Sequence, residues 1–317
     1  MSTATKVTDI KKRLSIPAFA APMFLISGPD LVIEACKAGV IGAFPTLNAR
    51  PVAVLEQWLQ RITTELARAE QETPGKVAPW AANLIVHKNN QRFEPDFELI
   101  LEYQPEIVIT SLGSPARVAD QIHGYGGLVF SDVNSVEFAH KAADRGADGL
   151  ILICEGAGGH TGFSSADKFV PEVRAFFDGP IIVGGAISTG ADIRHVIDIG
   201  ADFAYMGTRF IATDECQAQP AYKQMVVDST ADDVVLTPYF TGVPAHFLLP
   251  SIRAAGIDPA SLADSKGQIG FSADGDEDSK DLSAWRDIWS AGKGVDRINS
   301  VLPAAKLIAT LREEYTA

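Results

Sequence analysis

Cysteine is scarce in this chain. Its 317 residues include three, Cys36, Cys154 and Cys216, and no two form a C-x-x-C pair. That scarcity excludes a disulfide scaffold and a zinc ribbon, and it suits a reducing compartment. No run approaches the roughly 18 to 20 apolar residues that a membrane helix needs. The N-terminus, MSTATKVTDIKKRLSIPAFAAPMF, lacks the basic start and long apolar stretch of a secretion signal. A cytoplasmic protein without a membrane partner is expected. Positive charge is also short: 27 Lys and Arg stand against 40 Asp and Glu, a formal net charge of -13. Such a surface repels phosphate backbones, which argues against nucleic acid as a partner. No G-x-S-x-G elbow suggests a hydrolase. His87, His123, His140, His195 and His246 lack metal-ligand spacing to one another, so no metal is expected. The acidic stretch SADGDEDSKD (272–281) reads as a solvated loop, because no Glu closes it where a calcium loop requires one.

What is present is a globular composition, 46% hydrophobic, with ample core material. Eight short apolar runs stand out: AFAAPM (18–23), IGAFPTL (41–47), PWAANLIV (79–86), EIVITSL (106–112), GLVFSDV (127–133), GLILICE (149–155), PIIVGGA (180–186) and FAYMGT (203–208). They are not strictly alternating, as befits parallel strands buried on both faces. The segments between them carry apolar residues at a spacing of three to four and often end at Gly, as helices do. This order predicts an α/β fold, a (β/α)8 TIM barrel, over residues 1–212. A doubly wound sheet is the alternative, but PMFLISGPD follows the first run where G-x-G-x-x-G would be expected. Residues 213–290 read as an appended, mainly helical subdomain over the barrel mouth, and 291–317 as a turn and helix returning to the barrel.

Barrel active sites lie at the C-terminal ends of the strands, and phosphates often bind after the seventh and eighth. The seventh run ends in VGGAISTGAD and the eighth in MGTRF. Gly184, Gly185, Gly207 and Thr208 offer backbone N–H groups there, each just ahead of a helix, so a phosphate-bearing ligand is expected. Arg209 either pairs with that phosphate or bridges to a carboxylate on the outer helices. Asn83, ending the third run, either contacts a cofactor ring or caps a loop. After the sixth run comes CEGAGGHTG, which sets His160 beside the phosphate loops with a pKa suited to proton transfer. Glu155 either orients His160, binds a hydroxyl-bearing part of the ligand, or is a plain strand-end acid. Cys154 reads as a core thiol, and His246 either lines a pocket or is an ordinary loop histidine.

The motifs AAPM, NLIV, EGAGGHTG, GGAISTG and YMGTRFIAT, with WSAGKGV near the C-terminus, resemble those of the nitronate monooxygenases, formerly called 2-nitropropane dioxygenases. The resemblance spans about 18–213. Inosine-monophosphate dehydrogenases have similar phosphate segments but need a cysteine in the loop that here holds His160. The resemblance implies noncovalent FMN. Met23 would lie against the isoalloxazine, Asn83 would contact the ring, and Gly158 and Gly159 would pass close to it. Gly184, Gly185, Gly207, Thr208 and Arg209 would surround the phosphate, and His160 would be the catalytic base. Many relatives carry a Lys at the end of the fifth strand, where Ser131 is expected to stand here, and Lys293 is a candidate to compensate. The implied reaction is oxidation of alkyl nitronates or nitroalkanes by O2 to a carbonyl compound and nitrite. The alternative is an NAD(P)H-dependent quinone or enoyl-thioester reductase on the same scaffold.

Overall fold

All eight apolar runs become strands of one closed parallel barrel. The computed structural model describes residues 1–263 and 284–317, so the acidic stretch 272–281 lies outside the described residues. In chain order the elements are α1 (Thr3–Lys12), β1 (Ala18–Ala20), α2 (Pro29–Lys37), β2 (Ile41–Pro45), α3 (Val52–Glu72), β3 (Trp80–Ile85), α4 (Phe93–Tyr103), β4 (Ile107–Ser111) and α5 (Ala119–Tyr125). Then come β5 (Leu128–Val133), α6 (Val136–Ala143), β6 (Gly149–Ile153), β7 (Gly159–His160), α7 (Ala166–Arg174), β8 (Ile181–Gly184), α8 (Gly190–Asp198), β9 (Phe203–Met206) and α9 (Thr208–Ile211). The remainder is α10 (Pro220–Asp228), β10 (Val234–Thr237), β11 (Ala245–Leu248), α11 (Leu249–Ala254) and α12 (Ala304–Thr316).

Side-chain alternation divides every barrel strand between two apolar layers. Phe19, Ile41, Ala81, Ile107, Leu128, Phe130, Ile151, Ile182 and Phe203 point inward and fill the barrel. Their neighbours Val108 and Val129, and Leu150 and Val183, point outward into the cores beneath the helices. Helix α1 adds Val7 and Ile10 to the inner layer and ties Lys11 to Asp202 at 2.7 Å, which closes the N-terminal end of the barrel. Access is therefore from the opposite end, where the strands finish.

The eighth helix position is filled from a distance. After β9 the chain makes only the four-residue α9, leaves the barrel, and returns as α12, which packs on α8 and α2. Helix α8 starts on a capping box between Thr189 and Asp192, and its Gly190 N–H donates to Glu314 of α12 at 2.7 Å.

The excursion differs from the helical expectation in one respect. Helices α10 and α11 are there, but β10 and β11 form a hairpin whose inner strand pairs with β7. The hairpin covers a small core of Phe240, Phe247 and Ile252 with Ile288. VVLT and AHFL are four residues each, too short for a period of two to show against the surrounding Pro and Gly.

A Cβ at Gly190 would stand 2.3 Å from the backbone nitrogen of Tyr315 and 2.4 Å from the carbonyl oxygen of Leu311. Gly190→Ala should push α12 off α8 and cost about 1–3 kcal/mol. Urea unfolding checks the loss, and faster amide exchange confined to α12 checks its location.

Candidate active site

A cavity of about 850 Å³ opens at the C-terminal ends of the strands, a volume typical of small-molecule and cofactor sites. Met23, Asn83, Gly158, Gly159, His160, Gly185, Gly207 and Thr208 all border it. The chain therefore brings together most of the residues that sequence reasoning selected.

The glycine loop is held by the returning chain. A Cβ on Gly158 would lie 2.9 Å from the backbone nitrogen of Gly292, so here the loop packs backbone to backbone against Ala291–Gly292. Gly159 takes φ +71° and donates its N–H to the Ser290 hydroxyl at 2.7 Å. His160 follows in β7, opposite Ala245, with its ring edge-on to Trp285 at 5.7 Å. Its Nε2 lies 3.3 Å from the Thr241 hydroxyl. That hydroxyl donates its one proton to the Val243 carbonyl at 2.8 Å, so it accepts from Nε2–H. The free lone pair of His160 is then on Nδ1. The side chain reaches solvent through the cavity, yet the surrounding walls lower its basicity by desolvation. His246, by contrast, is buried behind the loop, and its Nδ1–H donates to the Ala157 carbonyl at 2.7 Å. It supports the loop and does not border the cavity.

The floor holds a polar chain. Asn83 Nδ2 donates to the Ser111 hydroxyl at 2.6 Å and to the Ile109 carbonyl at 3.3 Å. The Ser111 hydroxyl donates in turn to Asp132 Oδ2. Asp132 Oδ1 and the Tyr205 hydroxyl are both buried without a hydrogen-bond partner among the described residues. Desolvation pushes the Asp132 carboxyl up to about 6, against the opposing pull of Ser111. Burial and the charge of Asp132 raise the Tyr205 phenol well above its usual range.

The end of β5 brings both Ser131 and Asp132 to the cavity. Ser131 turns its hydroxyl to Thr110 at 2.6 Å, on the helix-facing side of the sheet. Asp132 shares the inward face with Leu128 and Phe130, so the carboxyl is what the end of β5 presents. The signal was available: counting by two from Phe130 reaches Asp132, not Ser131.

The expected cations are elsewhere. Arg209 does not border the cavity. Its guanidinium is buried with Nη1 unpartnered among the described residues, and burial lowers its pKa while the charge of Glu314 opposes that shift. Lys293 donates to the carbonyls of Ala231 and Val234 at 2.8 and 2.7 Å, which commits it to the appended segment. Gly184 lies inside β8 and does not reach the cavity, whereas Gly185 (φ +145°) and Ala186 (φ +53°) bend the chain round its edge. The N–H groups of Ala186, Ile187 and Gly207 make no hydrogen bond among the described residues, whereas the register Gly184↔Tyr205 turns the Gly185 N–H toward β9. Successive unpartnered N–H groups on positive-φ backbone form an anion-binding concavity. The Thr208 hydroxyl accepts from Gly292 N–H at 2.8 Å, leaving its own proton to donate. Glu155 is exposed and forms no hydrogen bond with His160 among the described residues. Cys154 is the core thiol expected, pushed up to about 12 by burial.

A family model described as nitronate monooxygenase matches residues 5–314. The chain is 25% identical to a nitronate monooxygenase of Paraburkholderia phytofirmans, over 94% of this chain and 92% of that protein. It is also 25% identical to a nitronate monooxygenase of Neurospora crassa, over 93% and 88%. A match to a Mycobacterium tuberculosis monooxygenase spans only about half that protein, 49% of its length. Among solved structures, FabK from Thermotoga maritima superposes with a TM-score of 0.77 at 22% identity, covering 98% of this chain and 96% of that one. A nitroalkane oxidase from Streptomyces ansochromogenes superposes with a TM-score of 0.76 at 21% identity, covering 97% and 98%. At these identities the two structures share the fold.

The buried carboxyl has a measurable cost. Its folded pKa of about 6 lies above the ordinary 3.8, so the folded state favours the protonated form. Stability therefore falls as pH rises from about 4 to about 6, while the unfolded chain releases this proton and the folded one keeps it. Asp132→Asn should be the more stable protein at pH 8, by up to about 3 kcal/mol, with the difference closing near pH 4. Urea unfolding of both proteins at the two pH values checks the sign.

Proposed function

The chain belongs to the nitronate monooxygenase family of flavin-dependent oxidoreductases, and we propose that it binds FMN in this cavity and oxidises small nitroalkanes or their nitronates with O2. The products are a carbonyl compound and nitrite. One observation carries the reading: an imidazole with a free nitrogen and lowered basicity borders the same cavity as a concavity of unpartnered N–H groups.

The residues present fit FMN. The N–H groups of Ala186, Ile187 and Gly207, with the Thr208 hydroxyl, would hold the phosphate without a side-chain cation, and Gly185 would let the chain pass close to it. Met23 and Asn83 meet the ring, and Gly158 and Gly159 pass beside it. When bound, the flavin supplies the electron acceptor. His160 Nδ1 takes the α-proton of a neutral nitroalkane, and its lowered basicity keeps it unprotonated and ready near neutral pH. Thr241 fixes the tautomer, and Trp285 fixes the ring.

A specific feature also favours a second reading, an NAD(P)H-dependent reductase of quinones or enoyl thioesters. The cavity continues past Phe138 along α6 to Lys141 and Arg145, which offers room and positive charge for a dinucleotide. Rapid anaerobic bleaching of the flavin by NADH or NADPH, with no nitrite formed from a propyl nitronate in air, would establish that reading over the first.

His160→Asn should retain FMN and lose roughly 10²- to 10⁴-fold of its activity on the neutral nitroalkane. Its activity on the preformed nitronate should fall much less, because that substrate needs no base. Initial rates of nitrite release from both substrates make the comparison, and equal losses would reject the base assignment.

Gly185→Val tests the phosphate concavity. A Cβ there would sit 2.8 Å from the Glu155 carbonyl oxygen, on a backbone with φ +145°. The variant should lose FMN while far-ultraviolet circular dichroism stays that of the wild type. An unchanged flavin content would show that the phosphate is held elsewhere.

A further inference from the structure

Tyr222 is buried on α10, and its hydroxyl makes both of its hydrogen bonds to one residue. It donates to the Ser290 carbonyl and accepts from the Ser290 N–H at 3.2 Å. Neither backbone group of Ser290 has another partner among the described residues. The phenol ring lies flat on Trp289, with centroids 5.0 Å apart. Trp289 is itself fixed, since its N–H donates to the Ser251 hydroxyl at 2.7 Å and its carbonyl accepts from Leu248 at the end of β11. The direction of the phenol is therefore set by packing before it meets Ser290.

The Ser290 side chain passes that constraint on. Its hydroxyl donates to the His246 carbonyl at 2.6 Å and accepts the Gly159 N–H at 2.7 Å, so it bridges β11 and β7 one residue before His160. Gly159 has no side chain to restrain its own backbone, which stands at φ +71°. The restraint on the peptide that leads into the imidazole comes from outside. We propose that Tyr222 is a positioning residue for His160: its phenol fixes the Ser290 backbone, and Ser290 fixes the Gly159 peptide from which the imidazole is aimed.

His160 is thus held from two sides, the ring by Trp285 and Thr241 and the main chain by Ser290. Tyr222 also borders the cavity, but its one proton is committed to the Ser290 carbonyl and burial raises its pKa, so it supplies no proton to a ligand. Removing its hydroxyl would leave two buried backbone groups of Ser290 without partners, a condition costly enough to shift the segment. Gly159 would move with the Ser290 hydroxyl. The imidazole would then lose its fixed direction and gain water, which matters because desolvation is what lowers its basicity.

Tyr222→Phe keeps the ring on Trp289 and removes the hydroxyl. Heteronuclear NMR of the histidine rings in the full chain reads the outcome without turnover, and the His160 signals are those missing from His160→Asn. The wild type should show one tautomer, protonated at Nε2, with a pKa below the ordinary 6.5. In Tyr222→Phe the two tautomers should mix and the pKa should rise toward that ordinary value. His123 on α5 and His195 on α8 should keep their signals, which separates a local change from general loosening. Ser290→Ala cuts the next link and should give the same change; it also carries the test should Tyr222→Phe fail to fold. A His160 with wild-type tautomer and pKa in either folded variant overturns the proposal. The kinetic arm rests on the proposed nitroalkane chemistry. There kcat on the neutral nitroalkane should fall about ten- to a hundredfold in each variant with KM little changed, and the double variant should fall no further. Losses that multiply in the double variant would show two separate effects and overturn the proposal too. Should the wild type release no nitrite, the nitroalkane reading fails, while the NMR comparison still decides the role of Tyr222.

Discussion

The shape of the cavity depends on one contact, the backbone-to-backbone meeting of the glycine loop after β6 with the returning segment Ser290–Gly294. Lys293 N–H donates to the Gly156 carbonyl at 2.9 Å, and Gly159 N–H donates to the Ser290 hydroxyl. The same short segment gives Gly292 N–H to Thr208, and its Gly294 carbonyl accepts from Ser188 at 2.8 Å. Ser290 also donates to the His246 carbonyl at 2.6 Å. Five residues therefore tie the ends of β6, β8, β9 and β11 to one another. A side chain at Gly292 would meet the Gly156 carbonyl oxygen at 2.5 Å, so only glycine permits this spacing. The loop that carries His160 is thus positioned by chain that lies some 130 residues away in sequence.

That long-range tie explains the appended segment. A two-residue strand such as β7 has no stability alone. It persists because β11 supplies a partner along its edge and His246 anchors Ala157 from behind. The hairpin has its own apolar core, in which Phe247 stacks on Trp285 at 4.9 Å, and Trp285 meets the ring of His160. The excursion between α9 and α12 is therefore part of the site, since it orders a glycine-rich loop that would otherwise sample many conformations.

Much of this was legible in the residues. All eight strands could be read because parallel strands buried on both faces leave continuous apolar runs. The glycine-rich ends of β8 and β9 pointed to the strand ends where Gly185 and Gly207 border the cavity. Three things were not legible. The short hairpin strands fall below the length at which a period shows. The direction of Arg209 was open because alternation ends with β9, and the following turn decides where a side chain goes. Lys293 looked free to reach the site, yet its partners are carbonyls more than 55 residues away in sequence. Asp132 belongs to another class. The parity of β5 contained it, but a resemblance that placed a cation near the strand end drew attention to its neighbour Ser131, which also borders the cavity.

Backbone N–H groups at Ala186, Ile187 and Gly207 border the cavity and make no hydrogen bond among the described residues. The nearby cations do structural work, Lys293 as a clamp on Ala231 and Val234, Arg209 as a buried guanidinium near Glu314. The floor holds a carboxyl whose burial strips it of water, and that desolvation, only partly offset by the Ser111 hydrogen bond, pushes its pKa up to about 6. Unpartnered Asp132 Oδ1 and Tyr205 hydroxyl oppose folding, since each loses water without gaining a bond. Polar groups left in that condition at the bottom of an open cavity are the departures from good packing expected where a fold gives up stability for a task. The apolar layers above and below them, complete from Phe19 to Phe203, show that the barrel itself had no need of them.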